Sequence, residues 1–538
     1  MRPALSTAAL ALILMSPSFC ADKEINGDWI GGYERNGNWI LFRTHFEGPP
    51  DQLGGNLDFL NGSSGISLLE GSVADGSIHF RVTSGPRDVT FDGKQDSTGI
   101  RGTARGKAGW TGPFQLTRNF RLNRRELQEY TGVYQTDENR TIFVDLWDGL
   151  GSDELVTISQ AGEVRTIYST DRDKFFAGPT VALPTSVESR ISFQRDRSGS
   201  IISMTWGRGA DPSWTAKRTK FENQEEVRFR SRDVELAGTL RSPLDNKKHP
   251  AIILVHGSGP ENRDWLLPYA RFLVRQGFAV LGYDKRGVGA SSGAWKLAPF
   301  EDFAGDAAAA FEYLKTRADI DPKGIGLLGI SQAGWVMPLA AERAKDIAFL
   351  ISVSGPGIPV AQTNLDELSN EMRMVGTDPG LIAEIVKLTE VSYRFAQTRD
   401  NWEEYLTLRQ ALMKRGAVPE SNFPADPNDP TWNYMRQVYF RDPGEAIRNL
   451  RMPVLAIFGG LDNNVLPEKN RAAWEAALRD GKNMDYSLLV LPKANHLILE
   501  ARAGTSAEIP TLQRFVPEYF SIVSGWLATR FTSDDATR

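Results

Sequence analysis

The sequence predicts a chain in two parts: an antiparallel β-rich region, then a doubly wound, mostly parallel α/β domain. Three observations carry this expectation. The chain has 538 residues, more than one domain commonly holds. Turn dipeptides and short aromatic or β-branched segments crowd residues 22–220. From residue 221 onward, short and nearly continuous apolar runs alternate with helical patterns, the grammar of a parallel sheet covered on both faces.

In the first part, Asn36-Gly37, Asn61-Gly62 and Asp92-Gly93 read as turn or hairpin dipeptides. Between them run strand-like segments such as Asn38–Phe42 and Ile78–Val82. This density of turns predicts an antiparallel sandwich or a small barrel. The segment Tyr130-Thr131-Gly132-Val133-Tyr134 faintly echoes Asp28–Tyr33, which leaves room for two related β units in residues 22–220, but the echo is too weak to make a repeat.

In the second part, residues 221–538, Val227–Phe229 and Val234–Leu240 look like a hairpin. Six apolar runs follow, at Ala251–Val255, Phe278–Gly282, Ile325–Ile330, Ile347–Val353, Val454–Phe458 and Ser487–Leu491. Strands buried on both faces read this way. Phe303, Ala307, Phe311 and Leu314 recur at helical spacing, as do Phe515, Tyr519, Ile522 and Trp526. Residues 356–450 interrupt the alternation with helical segments at Leu381–Gln397 and Trp402–Lys414. The insertion reads as a helical cap over one end of the sheet. It carries Tyr393, Phe395, Trp402, Tyr405, Trp432, Tyr434, Tyr439 and Phe440. Two or three of these facing inward would make a compact, largely apolar pocket.

Composition excludes several classes. Hydrophobic residues at 41% and charged residues at 24% are ordinary for a globular chain. A net charge of -5 gives no electrostatic reason to expect nucleic acid as a partner. Arg2, the apolar run Ala4–Met15 and the break at Pro17-Ser18-Phe19 read as a secretory signal peptide over residues 1–21. The run is shorter than the roughly 18 residues that a bilayer span needs, so no integral anchor is expected after cleavage. The expectation is a secreted or periplasmic protein. Pro17 and Phe19 stand where a lipidated leader would have a leucine-like and a small residue. Cys20 is the only cysteine, and cleavage near Cys20 or Ala21 leaves a chain without disulfides, thiol nucleophiles or thiolate metal sites.

The chemistry concentrates in the second part. Gly329-Ile330-Ser331-Gln332-Ala333-Gly334 joins an apolar run to a helix, the setting of a nucleophile elbow. Small residues are needed two before and two after the serine, where strand and helix approach closely, and Gly329 and Ala333 supply them. A serine needs a base. Of the five histidines only His249, His256 and His496 fall in this part. His496 follows the last apolar run, at the strand end that also carries Ser331. Asp462 follows the run Val454–Phe458 and Gly459-Gly460-Leu461, and serves as the acid that orients the base. His256-Gly257-Ser258-Gly259-Pro260 is a glycine-rich loop after the strand Ala251–Val255. Its Ser258 N–H, with the Gln332 N–H, is the expected oxyanion hole. His256 is expected to be structural, and Asp284 and Arg286 to build a turn. Every candidate group lies after residue 255, so a fragment starting near Glu222 is expected to keep the triad.

These motifs, in this order, resemble the secreted, esterase-like branch of the α/β-hydrolase superfamily. The residues that carry the resemblance are His256–Pro260 with Arg263-Asp264, Tyr283-Asp284-Lys285-Arg286-Gly287, the Ser331 elbow, Gly460-Leu461-Asp462 and Asn495-His496-Leu497. The order Ser331, Asp462, His496 is that of the α/β-hydrolase fold. The resemblance implies an enzyme without metal or organic cofactor. Its expected substrate is a small-molecule carboxylic ester with a small or medium acyl group. Acyl thioesterases and dipeptidyl-peptidase-like enzymes are neighbours of this branch. A prolyl-oligopeptidase-like propeller needs roughly 280 residues, and the β region is shorter. No acidic motif for a substrate amine stands out in the sequence.

Overall fold

A computed structural model of the chain describes residues 25–60, 67–82, 88–106, 109–147, 154–245 and 247–531. The expected signal segment, residues 1–21, and the Asn61-Gly62 dipeptide lie outside the described residues. No helix among the described residues is long and apolar enough to cross a membrane.

The β-rich region is two closed antiparallel barrels of eight strands each. The first runs through β1 (Gly27–Arg35), β2 (Asn38–Glu47), β3 (Leu53–Phe59), β4 (Ser67–Ala74), β5 (Ser77–Val82), β6 (Val89–Gln95), β7 (Ile100–Gly106) and β8 (Thr111–Arg118). Its interior is filled by Tyr33, Phe42, Phe46, Phe80, Phe91 and Phe114, with Phe80 and Phe91 stacked at 4.4 Å. Asn36-Gly37 makes the β1–β2 turn, both residues at positive φ (52° and 80°), as a tight hairpin requires. Asp92-Gly93, read above as a turn, lies instead inside β6. There Gly93 makes room for the Phe114 ring, which would sit 2.7 Å from any Cβ. The corresponding turn is Asp75-Gly76, between β4 and β5.

A short helix, α1 (Arg124–Gln128), leads to the second barrel. Its strands are β9 (Gly132–Gln135), β10 (Thr141–Leu146), β11 (Leu155–Ser159), β12 (Val164–Asp171), β13 (Lys174–Ala177), β14 (Ser189–Arg195), β15 (Ile201–Arg208) and β16 (Trp214–Thr219). Each segment of the weak sequence echo contributes to the first strand of a barrel.

The remaining strands form one eight-stranded sheet: β17 (Asn223–Ser231), β18 (Val234–Ser242), β19 (His249–Val255), β20 (Ala279–Tyr283), β21 (Ile320–Ile330), β22 (Leu350–Val353), β23 (Val454–Gly459) and β24 (Tyr486–Leu491). Their order is β17-β18-β20-β19-β21-β22-β23-β24. The hairpin and the β18–β20 pair are antiparallel; the other pairs are parallel. One face packs on α3 (Phe300–Lys315), α4 (Ala333–Arg343) and α10 (Pro467–Asp480). The other packs on α2 (Leu267–Arg275) and α11 (Pro517–Phe531).

Between β22 and β23 stand the cap helices α5 (Val360–Met374), α6 (Pro379–Thr398), α7 (Trp402–Lys414) and α8 (Pro430–Val438), then α9 (Gly444–Ile447). The cap has a core of its own around Tyr393, Phe395, Tyr405 and Trp432. Ala446 and Ile447 of α9 instead join the core beneath the sheet.

The second barrel does not stand apart from the sheet domain. Its outward Val133, Phe143, Trp147, Val156 and Ile158 share one buried core with Leu266, Leu267, Tyr269, Phe515 and Tyr519. Trp147 Nε1 donates to the Trp265 carbonyl (2.9 Å), and Arg271 pairs with Asp145 (2.7 Å), both ends buried. Residues 510–515 lie alongside the barrel as an extra strand would. Val164 N–H donates to Gln513 O (2.9 Å), Val181 N–H to Leu512 O (2.7 Å) and Phe515 N–H to Gly162 O (2.9 Å). A fragment starting at Glu222 would therefore lay bare this apolar face.

Candidate active site

Every predicted group sits at the carboxyl ends of parallel strands, where open α/β sheets hold their ligands. Ser331 directly follows β21 with φ at 57°, a left-handed conformation that costs a non-glycine residue energy. The strain is held by its N–H donating to Val353 O (3.0 Å) and its carbonyl accepting from Gly334 N–H (2.8 Å). The elbow is tight enough to select its neighbours. A Cβ on Gly329 would meet the Ala333 Cβ at 2.3 Å, and one on Gly334 would meet the Gly355 backbone at 2.7 Å.

His496 follows β24, in a loop tied by Asn495, whose Oδ1 accepts from the Leu497 and Leu499 N–H groups (3.0 Å each). Asp462 follows β23 and is buried. Its Oδ1 accepts from Asn464 N–H (2.9 Å) and Val465 N–H (2.8 Å), and its Oδ2 accepts from His496 Nδ1 (2.8 Å). An ionised carboxylate only accepts, so Nδ1 carries a proton, and in the neutral ring Nε2 is the nitrogen with the free lone pair. Burial alone would push the His496 pKa down. The charge and hydrogen bond of Asp462, helped by Glu367 and Glu261, outweigh it and hold the pKa above the ordinary histidine value.

The glycine-rich loop after β19 is fixed from three sides. His256 Nε2 donates to Tyr283 O (2.6 Å). Burial and the nearby Lys285 charge push its pKa down to about 3, so it is neutral and structural, as expected. Glu261 accepts from Gly257 N–H (2.7 Å). Lys285 Nζ donates to Gly257 O (2.6 Å) and Gly259 O (2.8 Å), and reaches Gln332 Oε1 at 3.4 Å. Burial pushes Glu261 up and Lys285 down. Among the described residues, neither the Ser258 nor the Gln332 N–H has a hydrogen-bond partner, whereas the Gly257 N–H is committed. Asp284 and Arg286 build the adjoining turn. Asp284 accepts from Arg263 Nη2 (2.9 Å) and Ala290 N–H (2.8 Å), and Arg286 pairs with the buried Asp306 (2.7 Å).

Ser331, Gln332, Ser258 and His496 line one cavity of about 460 Å³, and Asp462 stands behind His496. The sheet domain adds Trp265, Trp295, Phe300 and Trp335 to its wall. The cap adds Val360, Thr363, Asn364 and Glu367 of α5, with Tyr434 and Tyr439. Of the eight cap aromatics singled out in the sequence, only these two tyrosines reach the cavity; Tyr393, Phe395, Tyr405 and Trp432 fill the cap core. Sequence reading missed Lys285, Glu261 and Glu367. Lys285 had a signal, since it lies between the two groups read as turn builders. Glu367 had none: it is one acid on a polar helix.

The Alpha/beta hydrolase family profile matches residues 252–508. Residues 252–508, just under half of the chain, form an α/β-hydrolase domain. The chain is 27% identical over 316 residues to Esterase EstD of Thermotoga maritima, covering 56% of this chain and 68% of that protein. It is 24% identical over 264 residues to Dipeptidyl-peptidase 5 of Porphyromonas gingivalis, covering 47% of this chain but 31% of the relative. Among solved structures, the Pyrococcus furiosus esterase Pf2001 aligns with a TM-score of 0.36 at 18% identity, over 58% of this chain and 92% of that one.

Proposed function

We propose that this α/β-hydrolase is an exported serine esterase that cleaves carboxylic esters of small or medium acyl groups. The observation that carries the reading is the shared cavity. Ser331, strained on its elbow, lines it together with a histidine whose Nδ1 is held 2.8 Å from a buried aspartate. In the proposed reaction Ser331 Oγ attacks the acyl carbon while His496 Nε2 takes its proton. The N–H groups of Ser258 and Gln332 receive the oxyanion, at the start of α4 where the helix dipole favours negative charge. His496 then protonates the leaving alcohol, and the acyl–Ser331 ester forms. Water, activated by the same nitrogen, releases the acid. Lys285, Glu261 and His256 act one step back, by holding the loop that presents the Ser258 N–H. The aromatic wall suits a compact apolar acyl group.

One observation favours a second reading. The cavity wall holds two carboxylates, Glu261 and Glu367, and no lysine or arginine. An acidic wall with aromatic faces also suits an amine-bearing aminoacyl group, and the likeness to a dipeptidyl-peptidase points the same way. The two readings separate on a hydrolysis panel of acyl esters, acyl thioesters and aminoacyl anilides, run beside Ser331→Ala. The ester reading expects short and medium acyl esters to react fastest, with Ser331→Ala slower by on the order of 10⁴- to 10⁶-fold. Faster cleavage of anilides than of any ester would overturn the substrate class. Near-wild-type turnover by Ser331→Ala would overturn the nucleophile.

A further inference from the structure

A cavity of about 940 Å³, larger than the one at the candidate active site, opens in one mouth of the second barrel. An eight-stranded barrel either fills its interior with side chains or holds one small ligand. The two barrels of this chain divide along that line. The first is packed with eight buried aromatics among its described residues, Trp29 and Phe59 joining the six named above. The second is packed around Tyr134, Phe175 and Phe193, but toward the end formed by the turns at 136–140, 160–163 and 209–213 the side chains become small and polar. Thr157, Ser159 and Ser189 face this space, with Ile142 at its floor.

Two features give the space a chemistry. Trp206 and Trp214 are a cross-strand pair on β15 and β16, half-buried, with ring planes 4° apart and centroids at 5.8 Å. The rings stack on one another with an offset, and both line the cavity, which gives it an aromatic wall. The second feature is Arg165, half-buried on β12. Its Nη1 is fixed by the carbonyls of Val164 (2.7 Å) and Gln513 (2.8 Å). A guanidinium has five N–H donors, so these two bonds leave most of it facing the cavity. Arg208 is paired with Glu188 (2.8 Å) and Arg140 with Glu138 (2.5 Å). Among the described residues Arg165 has no ion pair; Glu163 and Glu188 act on it through space and favour its charged form. Removal from water already lowers its pKa. A cation taken out of water is ordinarily paired, and among the described residues no carboxylate stands within ion-pair distance of Arg165.

We infer that this barrel mouth is a second, non-catalytic binding site for a small carboxylic acid with a flat apolar body. The carboxylate bridges to Arg165 as a charge-assisted hydrogen-bonded pair, and the body lies on Trp206 and Trp214. The volume lies within the usual range for small-molecule sites.

Isothermal titration of the full chain with 2-naphthoate tests the site, since that probe has one carboxylate and one flat ring system. One saturable site per chain is expected. Arg165→Gln and Trp214→Leu should each weaken binding by roughly tenfold or more, and so should exchanging the probe for its uncharged isostere 2-naphthamide. Glu367→Gln, in the other cavity, should leave binding unchanged. Circular dichroism establishes that each variant is folded. Should Arg165→Gln fail to fold, because Arg165 also holds the Gln513 carbonyl, Trp214→Leu and the amide probe decide the matter. Absence of saturable binding would overturn the inference. Equal affinity in the two barrel variants, equal affinity for acid and amide, or loss of binding in Glu367→Gln would do the same. Saturable binding of cellobiose in place of 2-naphthoate would replace the acid with a neutral saccharide.

Discussion

Asp462→Asn probes the candidate triad through hydrogen-bond polarity rather than size. Asp462 Oδ1 accepts from two backbone N–H groups, of Asn464 at 2.9 Å and Val465 at 2.8 Å. An asparagine must keep its carbonyl oxygen on those donors, since an amide NH₂ cannot face two N–H groups. Its nitrogen then takes the Oδ2 position, 2.8 Å from His496 Nδ1. That nitrogen only donates, so Nδ1 must become the acceptor and the imidazole proton moves to Nε2. His496 would then present an N–H to Ser331 and could not take its proton. In triads of this kind the exchange costs on the order of 10⁴ in kcat, or about 5 kcal/mol of transition-state stabilisation. The fold should hold, because both backbone bonds persist. Asp462→Ala is the weaker experiment: it leaves two N–H groups without an acceptor, at about 1–3 kcal/mol each. The assay is the initial rate of p-nitrophenyl butyrate hydrolysis, with melting curves for both proteins. A folded Asp462→Asn protein turning over within about tenfold of wild type would refute the reasoning.

Glu367→Gln should move the acid limb of the kcat/KM profile to lower pH, because the Glu367 charge helps hold the His496 pKa up; an unmoved limb would remove Glu367 from the electrostatics of the site. Arg271→Met should destabilise the chain by about 3–5 kcal/mol at pH 8, by leaving Asp145 charged and unpaired. Burial raises the Asp145 pKa to about 6 in the fold, above its unfolded value. The stability it contributes is therefore complete below the unfolded pKa and lost as pH rises through about 6. The cost of Arg271→Met should accordingly shrink at pH 5, and equal costs at the two pH values in denaturant titrations would contradict this. A fragment beginning at Glu222 should aggregate or melt well below the whole chain, because Leu266, Leu267, Phe515 and Tyr519 lose their cover; a monodisperse fragment with the full-length melting temperature would contradict that. Mass spectrometry of exported protein should find a chain beginning near Ala21 or Asp22, and intact Met1 on exported material would count against cleavage.

Parts of this molecule were legible because local sterics leave few alternatives. Gly329 and Ala333 announce the elbow, since a larger residue at either would collide with the other. The apolar runs announce the sheet, since strands covered on both faces carry few polar residues, Ser352 in β22 being one. Other parts depend on which surfaces meet. Asp92-Gly93 has the composition of a turn, but its glycine serves the Phe114 ring across the barrel. The cap aromatics look alike in sequence, and only helix packing decides that Tyr434 and Tyr439 face Ser331 while Trp432 and Tyr405 face each other. Glu261 and Glu367 gain their significance from burial beside a histidine more than 100 positions away. Whether a barrel is full or hollow depends on register and tilt, which alternation does not encode.

The strand-like seat of residues 510–515 against the second barrel has a consequence for the order in which the molecule is made. The bond from Arg165 to Gln513 spans 348 residues of chain. Closing a loop of that length costs about 5 kcal/mol of entropy if nothing between has folded, so the hydrolase sheet must form first and bring its ends together. The barrel emerges early in synthesis but is sealed only by a segment among the last to be made. Until then Val164 and Val181 lack the carbonyls of Gln513 and Leu512, and their apolar surroundings stay open. A chain stopped short of residue 510 would therefore show its defect in the N-terminal half, as a loosened barrel with exposed strand edges, even though the missing residues belong to the hydrolase.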